Sequence, residues 1–274
     1  MHIKQGHWTP ESTDAFWQYI GQREDLHGDY FTRQVGYGLT EFIGHTGRLR
    51  PGTTVMDYGC GPGFLIEYLL SRRVECHAAD LSTKAVELAN RKYAGNLCWK
   101  GASVLSATES LLPAAHFDVV TCIETLEHLP DDSLQRVVRE IFGYLKPGGI
   151  GVFSTPFDED LKHSSVFCPF CHTEYHKVQH QRSFNAAQLS SLLQSQGFTV
   201  LFCRDLDFRE FQRIRPGWKD MSLRALAWLI RKKWKQWTDR ISAKPFPYGR
   251  TFNHQLRPGP HLCAIAERPM EVRC

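Results

Sequence analysis

The stretch Val55-Met56-Asp57-Tyr58-Gly59-Cys60-Gly61-Pro62-Gly63-Phe64-Leu65-Ile66-Glu67 constrains this chain more than any other. An apolar strand pattern runs into Asp-x-Gly-x-Gly-x-Gly, and a helix pattern follows at once. Gly59, Gly61 and Gly63 lack the β-carbons that would obstruct a sharp turn and the close approach of a ligand. The amides that open the next helix can hold an anionic group. Glycine-rich turns also arise for packing alone, so the deciding residue is Asp80, which ends the run Cys76-His77-Ala78-Ala79-Asp80. It falls about twenty residues on, where an acidic side chain hydrogen-bonds a ribose hydroxyl in dinucleotide folds. The reading is a nucleoside cofactor held at a strand-to-helix turn.

The rest of the chain supplies a frame for such a turn. Apolar periodicity predicts helices over 11–22 and 32–46, the first with Phe16, Trp17 and Ile20 at helical spacing. Strands and helices then alternate over 53–57, 63–72, 76–80, 82–93, 97–101, 117–122, 132–145 and 149–154. A helix over 185–196 and strands over 198–203 and 261–267 complete the pattern. Near-continuous apolar runs such as Phe117–Cys122 and Ile150–Phe153 are what buried parallel strands require. The expectation is an α/β fold with a doubly wound, seven-stranded, mostly parallel sheet and its ligands at the carboxyl ends of the strands. Residues 1–50 read as an N-terminal helical lid, and 51–204 with 261–274 as the core. Residues 156–184 form an inserted Cys/His loop without regular structure, and 205–260 a second, helical insertion.

The glycines fall at every second residue after an acid, unlike the dinucleotide spacing. This D-x-G-x-G-x-G form resembles motif I of the class I S-adenosylmethionine (SAM)-dependent methyltransferases. The resemblance continues through Asp80-Leu81-Ser82, Phe117-Asp118-Val119-Val120-Thr121-Cys122-Ile123-Glu124 and Leu145-Lys146-Pro147-Gly148-Gly149, and covers about residues 30 to 200. It implies SAM as cofactor, with Asp57 and the three glycines around the methionine moiety and Asp80 with Leu81 at the ribose. It also implies a Gly101-Ala102-Ser103 turn that places Ala102 beside the adenine, and Glu124 facing the cofactor. The acid often found near that turn in the family is missing here.

After the fourth strand comes Glu124-Thr125-Leu126-Glu127-His128. One reading keeps Glu124 for the cofactor and lets Glu127 and His128 pair with the following helix. The other adds His180, just before Gln181-Arg182-Ser183-Phe184-Asn185. This E-x-x-E-H pattern with a later His looks like the metal site of small-RNA 3′-terminal 2′-O-methyltransferases. The E-x-x-E-H part is shared with the ubiquinone-biosynthesis O-methyltransferases, which resemble this chain more fully, including an Arg ahead of motif I matched by Arg33, which the likeness places among the cofactor-binding residues. Both likenesses imply methylation of a hydroxyl beside a second hydroxyl. Glu124, Glu127, His128 and His180 would then hold a divalent ion, with His128 and Glu127 as the catalytic pair. The mixed carboxylate and imidazole set suits Mn²⁺, Fe²⁺, Co²⁺ or Zn²⁺ as well as Mg²⁺. Without metal, His128 is the expected general base.

A second constellation is Cys168-Pro169-Phe170-Cys171-His172-Thr173-Glu174-Tyr175-His176. Two thiolates at C-x2-C spacing can present sulfur to one ion, and His176 follows after four residues. His172 or His180 could complete the set, and with His180 assigned to the other cluster, zinc on Cys168, Cys171, His172 and His176 is the expectation. The plain alternative is two free cysteines in a His-rich loop.

Composition bounds the remaining classes. A net charge of +4 over 274 residues is too mild to argue for nucleic acid, although an RNA-end 2′-O-methyltransferase stays among the alternatives. A small-molecule N-methyltransferase and a non-catalytic SAM-binding scaffold are the others. Nine cysteines scattered through strands, with an intracellular cofactor, point to reduced thiols and a cytoplasmic protein. The basic, Trp-rich stretch 213–240 could pack on the core, grip substrate, or dock peripherally on an anionic membrane. The expected partner is a small hydroxylated acceptor; the oligomeric state is open.

Overall fold

The computed structural model describes residues 4–6, 8–105, 112–208 and 258–270. Helices α1 (Pro10–Gln22) and α2 (Phe31–Gly44) precede the sheet, which begins with β2 (Thr54–Tyr58); a short strand β1 (Lys4–Gln5) comes first in the chain. Then follow α3 (Phe64–Leu70), β3 (Glu75–Asp80), α4 (Thr83–Tyr93), β4 (Trp99–Val104), β5 (Phe117–Ile123), α5 (Asp131–Tyr144) and β6 (Leu145–Pro156). The insert carries β7 (Ser165–Cys168) and β8 (Thr173–His176), and α6 (Ala186–Ser195), β9 (Thr199–Leu206) and β10 (His261–Glu267) complete the fold.

The main sheet has seven strands in the order β4-β3-β2-β5-β6-β10-β9. All neighbours are parallel except β10, which runs antiparallel to both β6 and β9. The order reverses between β2 and β5, and ligands of open α/β sheets bind in the crevice at such a switch point. Every residue of β2 is buried, as a strand covered on both faces must be.

Two apolar layers flank the sheet. Leu39, Phe42 and Ile43 of α2, Leu65, Ile66 and Leu69 of α3, and Ala89 and Tyr93 of α4 pack on one face. Leu134, Val137, Val138 and Ile141 of α5, with Leu189 and Leu193 of α6, pack on the other. Their three-to-four-residue spacing gives each helix one apolar stripe. Side-chain caps set several helix starts: Ser82 accepts from Ala85 N at 3.3 Å, and Asn185 and Gln188 form a capping box at α6.

Residues 156–184 are more ordered than the sequence reading allowed. β7 and β8 form an antiparallel hairpin, and β1 joins β8 in parallel to make a separate three-stranded sheet. The β-formers Val166, Phe167 and Tyr175 suit such a pairing. The segment 213–240 lies outside the described residues. Among those described, no helix is long and apolar enough to cross a membrane.

Candidate active site at the carboxyl edge of the sheet

The glycine loop leaves β2 with all three glycines at positive φ: 75° at Gly59, 51° at Gly61 and 81° at Gly63. Two of them also meet close neighbours. A β-carbon on Gly59 would lie 2.5 Å from Thr125 Oγ1, and one on Gly61 would lie 2.9 Å from Tyr30 Cε1. Asp80 fastens the loop from the next strand, accepting from Gly61 N at 2.7 Å and from Ser82 N at 2.8 Å. Burial pushes its carboxyl pKa up, against the opposing pull of those amides. Asp57 accepts from Thr121 Oγ1 at 2.8 Å through one oxygen, and the other has no hydrogen-bond partner. Burial raises its pKa to about 7.

The N-terminal helices roof this edge. Gln18 Nε2 donates to Leu81 O at 3.2 Å, and a β-carbon on Gly21 would lie 2.4 Å from Ser82 Oγ. Arg33 is exposed, its guanidinium 5.3 Å from the centre of the Phe64 ring at the start of α3.

Gly101, Ala102 and Ser103 do not form a turn. They lie inside β4, with Ala102 paired to Ala78, two positions short of the strand end where Val104 pairs with Asp80. The register shifts between Cys76 and His77 of β3, opposite Trp99 and Gly101, and Gly101 has φ 108°. The glycine therefore marks a bulge. Asn90 brackets Ala102 through both backbone groups, at 2.9 and 2.8 Å.

Past β5 the chain bends at Glu124, whose φ of 48° is unusual for a non-glycine residue. Its carboxylate accepts from Ser154 Oγ at 2.8 Å and lies 3.5 Å from His261 Nδ1. A short 3-10 turn, Leu126–His128, follows. Glu127 is fully buried, and apart from the Thr155 hydroxyl beside it neither of its carboxylate oxygens has a hydrogen-bond partner. Burial first, and the neighbouring Glu124 second, hold its pKa well above the usual carboxyl range. His128 Nε2 stands 3.8 Å from Glu127 Oε1, and burial and then His180 lower the His128 pKa to about 3.

The insert returns over this turn. Gln181 N donates to Glu127 O at 2.8 Å, Gln181 Nε2 donates to His128 O at 2.6 Å, and Arg182 donates to Leu129 O. Gln179 is fully buried; its Nε2 donates to Thr13 Oγ1 at 3.1 Å and His128 O at 3.0 Å, while its Oε1 accepts from Trp17 Nε1 at 2.6 Å. His180 is thereby brought to His128, with ring centres 4.8 Å apart. Glu127, His128 and His180 each offer a ligand atom, and these atoms lie within 4.8 Å of one another. Glu124 does not join this group, because its carboxylate is turned to Ser154 and His261.

The zinc set of Cys168, Cys171, His172 and His176 is not assembled among the described residues, where no His, Asp or Glu joins the two cysteines in a three-ligand group. Cys168 and Cys171 sit near one another at the hairpin tip, and hydrogen bonding by Thr173 and then Cys168 lowers the Cys171 pKa. His172 stands at the tip with φ 58°, its ring stacked on Phe167 at 6.1 Å. His176, at the far end of β8, is buried instead beside His180, with ring centres 4.6 Å apart, and 3.3 Å from Glu159. A strand of four residues carries His176 away from the tip that holds the thiols.

Glu159 and Gln179 have no place in the sequence reading, and Trp17 and His261 enter it only as parts of a helix and a strand. Only Gln179 carried a local signal, its place directly before His180.

A seven-stranded sheet with one antiparallel strand, a D-x-G-x-G-x-G turn at its switch point and an acid closing the next strand define a class I SAM-dependent methyltransferase. Residues 31–201 match the family described as "Methyltransferase domain", and the chain belongs to it. It is 34% identical over 144 residues to the ubiquinone biosynthesis O-methyltransferase of Albidiferax ferrireducens, covering 51% of this chain and 53% of that protein. It is 41% identical over 110 residues to the same-named protein of Thiobacillus denitrificans, covering 38% and 44%. The chain thus spans about half the length of these curated relatives. Among solved structures, the 1,6-didemethyltoxoflavin-N1-methyltransferase of Burkholderia thailandensis, solved with S-adenosylhomocysteine, shares the fold at TM-score 0.60 and 17% identity, covering 98% of this chain and 94% of that one.

Proposed function

We propose that this chain methylates a hydroxyl of a small molecule that carries a second oxygen beside it, such as a catechol, sugar diol or lipid-linked phenol, with a divalent ion at Glu127, His128 and His180. One observation carries the reading: a fully buried carboxylate, with at most the Thr155 hydroxyl as partner, faces two imidazoles at the carboxyl edge of the sheet. A buried carboxyl in that state needs a proton or a cation. The names of the curated relatives support oxygen as the acceptor.

SAM, when bound, supplies an electrophilic methyl group, and a bound ion would lower the pKa of the acceptor hydroxyl. The chain's own residues then have distinct tasks. The glycine loop and Asp80 hold the cofactor, and the left-handed Glu124 lines the edge between β5, β6 and β10. His128, with a pKa near 3, stays neutral at physiological pH and keeps a lone pair. That makes it a weak general base and a suitable ligand. The roof of α1 and the insert keeps water from the group.

The test is methyl transfer from SAM to a panel of catechols and vicinal diols, with the product linkage read by NMR. Oxygen methylation that a chelator abolishes and Mn²⁺ restores supports the reading. Activity indifferent to chelation removes the ion, and products methylated only on nitrogen remove the hydroxyl acceptor. Transfer to RNA 3′ ends would replace the small molecule.

A further inference from the structure

Two acidic and imidazole groups meet in the roof. One is Glu127, His128 and His180; the other is Glu159, His176 and His180. They share His180, and the hydrogen bonds show that the second cannot be an ion site in this arrangement. His176 Nδ1 accepts from the backbone N–H of His180 at 3.0 Å, so in this ring the proton sits on Nε2. That Nε2 faces Glu159 Oε1 at 3.3 Å. With one nitrogen accepting and the other protonated, His176 has no lone pair to give a metal.

The other oxygen of the same carboxylate, Glu159 Oε2, lies 2.5 Å from His180 Nδ1. That contact takes Nδ1 of His180 as the partner of the Glu159 carboxylate and leaves Nε2 as the nitrogen free to turn toward Glu127 and His128. The stacked His176 and His180 rings, 18° from parallel, fix the plane in which that nitrogen points. Glu159 is itself held: Phe157 bridges Phe184, and Asp158 N donates to Phe184 O at 2.9 Å.

We propose that Glu159 and His176 are positioning residues that set the tautomer and ring orientation of His180, presenting its Nε2 to Glu127 and His128. Carboxylates bonded to the second nitrogen of a ligating histidine play this part in metal sites generally. The proposal builds on the ion-site reading above, but the tautomer of His180 can be measured without any ion.

The first measurement is the long-range ¹H–¹⁵N spectrum of metal-free protein. In the wild type His180 should be protonated at Nδ1 and His176 at Nε2; a His180 proton on Nε2 overturns the assignment with no substitution needed. In Glu159→Ala, His180 should lose its fixed Nδ1–H form, and an unchanged pattern counts against Glu159. The second measurement is Mn²⁺ affinity by calorimetry, expected to fall by about 10–100-fold in Glu159→Ala. His176→Ala should weaken Mn²⁺ binding as well, whereas His176→Gln, which can both accept and donate, should restore most of it. Equal Mn²⁺ affinity in all variants defeats the positioning role. A wild type that binds no Mn²⁺ removes the ion site, while the spectra still decide what holds His180. SAM affinity is the control for folding and should stay unchanged throughout.

Discussion

A β-carbon on Gly59 would come 2.5 Å from the hydroxyl oxygen of Thr125, so the cofactor loop and the turn carrying Glu127 and His128 touch through one glycine. Gly59→Ala meets two obstacles, this overlap and a φ of 75°. Left-handed backbone on a non-glycine residue costs about 1–3 kcal/mol, and overpacking costs a similar amount. The variant should lose stability in denaturant titrations and bind SAM more weakly. Adding Thr125→Ala should recover the overlap part and leave the backbone part, as a double-mutant cycle will read.

Glu127→Gln should separate stability from function. Burial holds the Glu127 pKa well above 4.5, so the stability this site contributes is present below that value and lost as pH rises through the folded-state pKa. Glutamine does not titrate. The metal-free variant should therefore melt higher than the wild type, by a margin that grows from pH 5 to pH 8, while methyl transfer falls at least about 100-fold. A margin that shrinks with pH would contradict a protonated Glu127.

Asp57 makes a second test of linkage. Its pKa rises from 3.8 to about 7, so its stabilising contribution is full below 3.8 and declines until about pH 7. Asp57→Asn mimics the protonated form. Variant minus wild-type stability should rise across that window and then level off. The opposite slope from His128, whose pKa falls from 6.5 to about 3, is common to both proteins and cancels in the difference.

Gln179 ties α1 to the turn after β5 with three hydrogen bonds from one side chain. Gln179→Ala should cost roughly 1–3 kcal/mol, because the half-buried Trp17 Nε1 and the buried Thr13 hydroxyl lose their partner. Gln179→Gly should lose less than a glycine normally does relative to alanine, since φ is 64° here. Thermal melts of the three proteins, read with tryptophan fluorescence, check the order.

The alternation of strands and helices was legible because each element carries its own period: buried runs at β2 and β5, one apolar stripe on each of α5 and α6. The glycine loop and Asp80 were legible because backbone geometry forces residue type there. The insert was not, since its sheet joins Lys4 to Thr173 and Gln5 to Glu174, a pairing with no local trace. His176 follows Cys171 at a spacing suited to a zinc site, yet the strand between them directs it to Glu159 instead. Glu159 itself has no pattern around it; only folding brings it to His176 and His180. The turn at Gly101 came only from the family resemblance, and here the glycine serves a bulge.

The antiparallel course of β10 has a consequence for what the sheet can tolerate at its ligand-bearing edge. β9 ends at Leu206 on the ligand-bearing edge, and β10 starts there at His261, the two residues paired side by side. Their α-carbons are therefore about 5 Å apart, the spacing of any ladder pair. Chain inserted between them begins and ends at one doorway, and lengthening it costs the sheet little, since closure entropy grows only with the logarithm of length. That junction is a natural place to exchange one inserted segment for another while the glycine loop and Asp80 stay untouched.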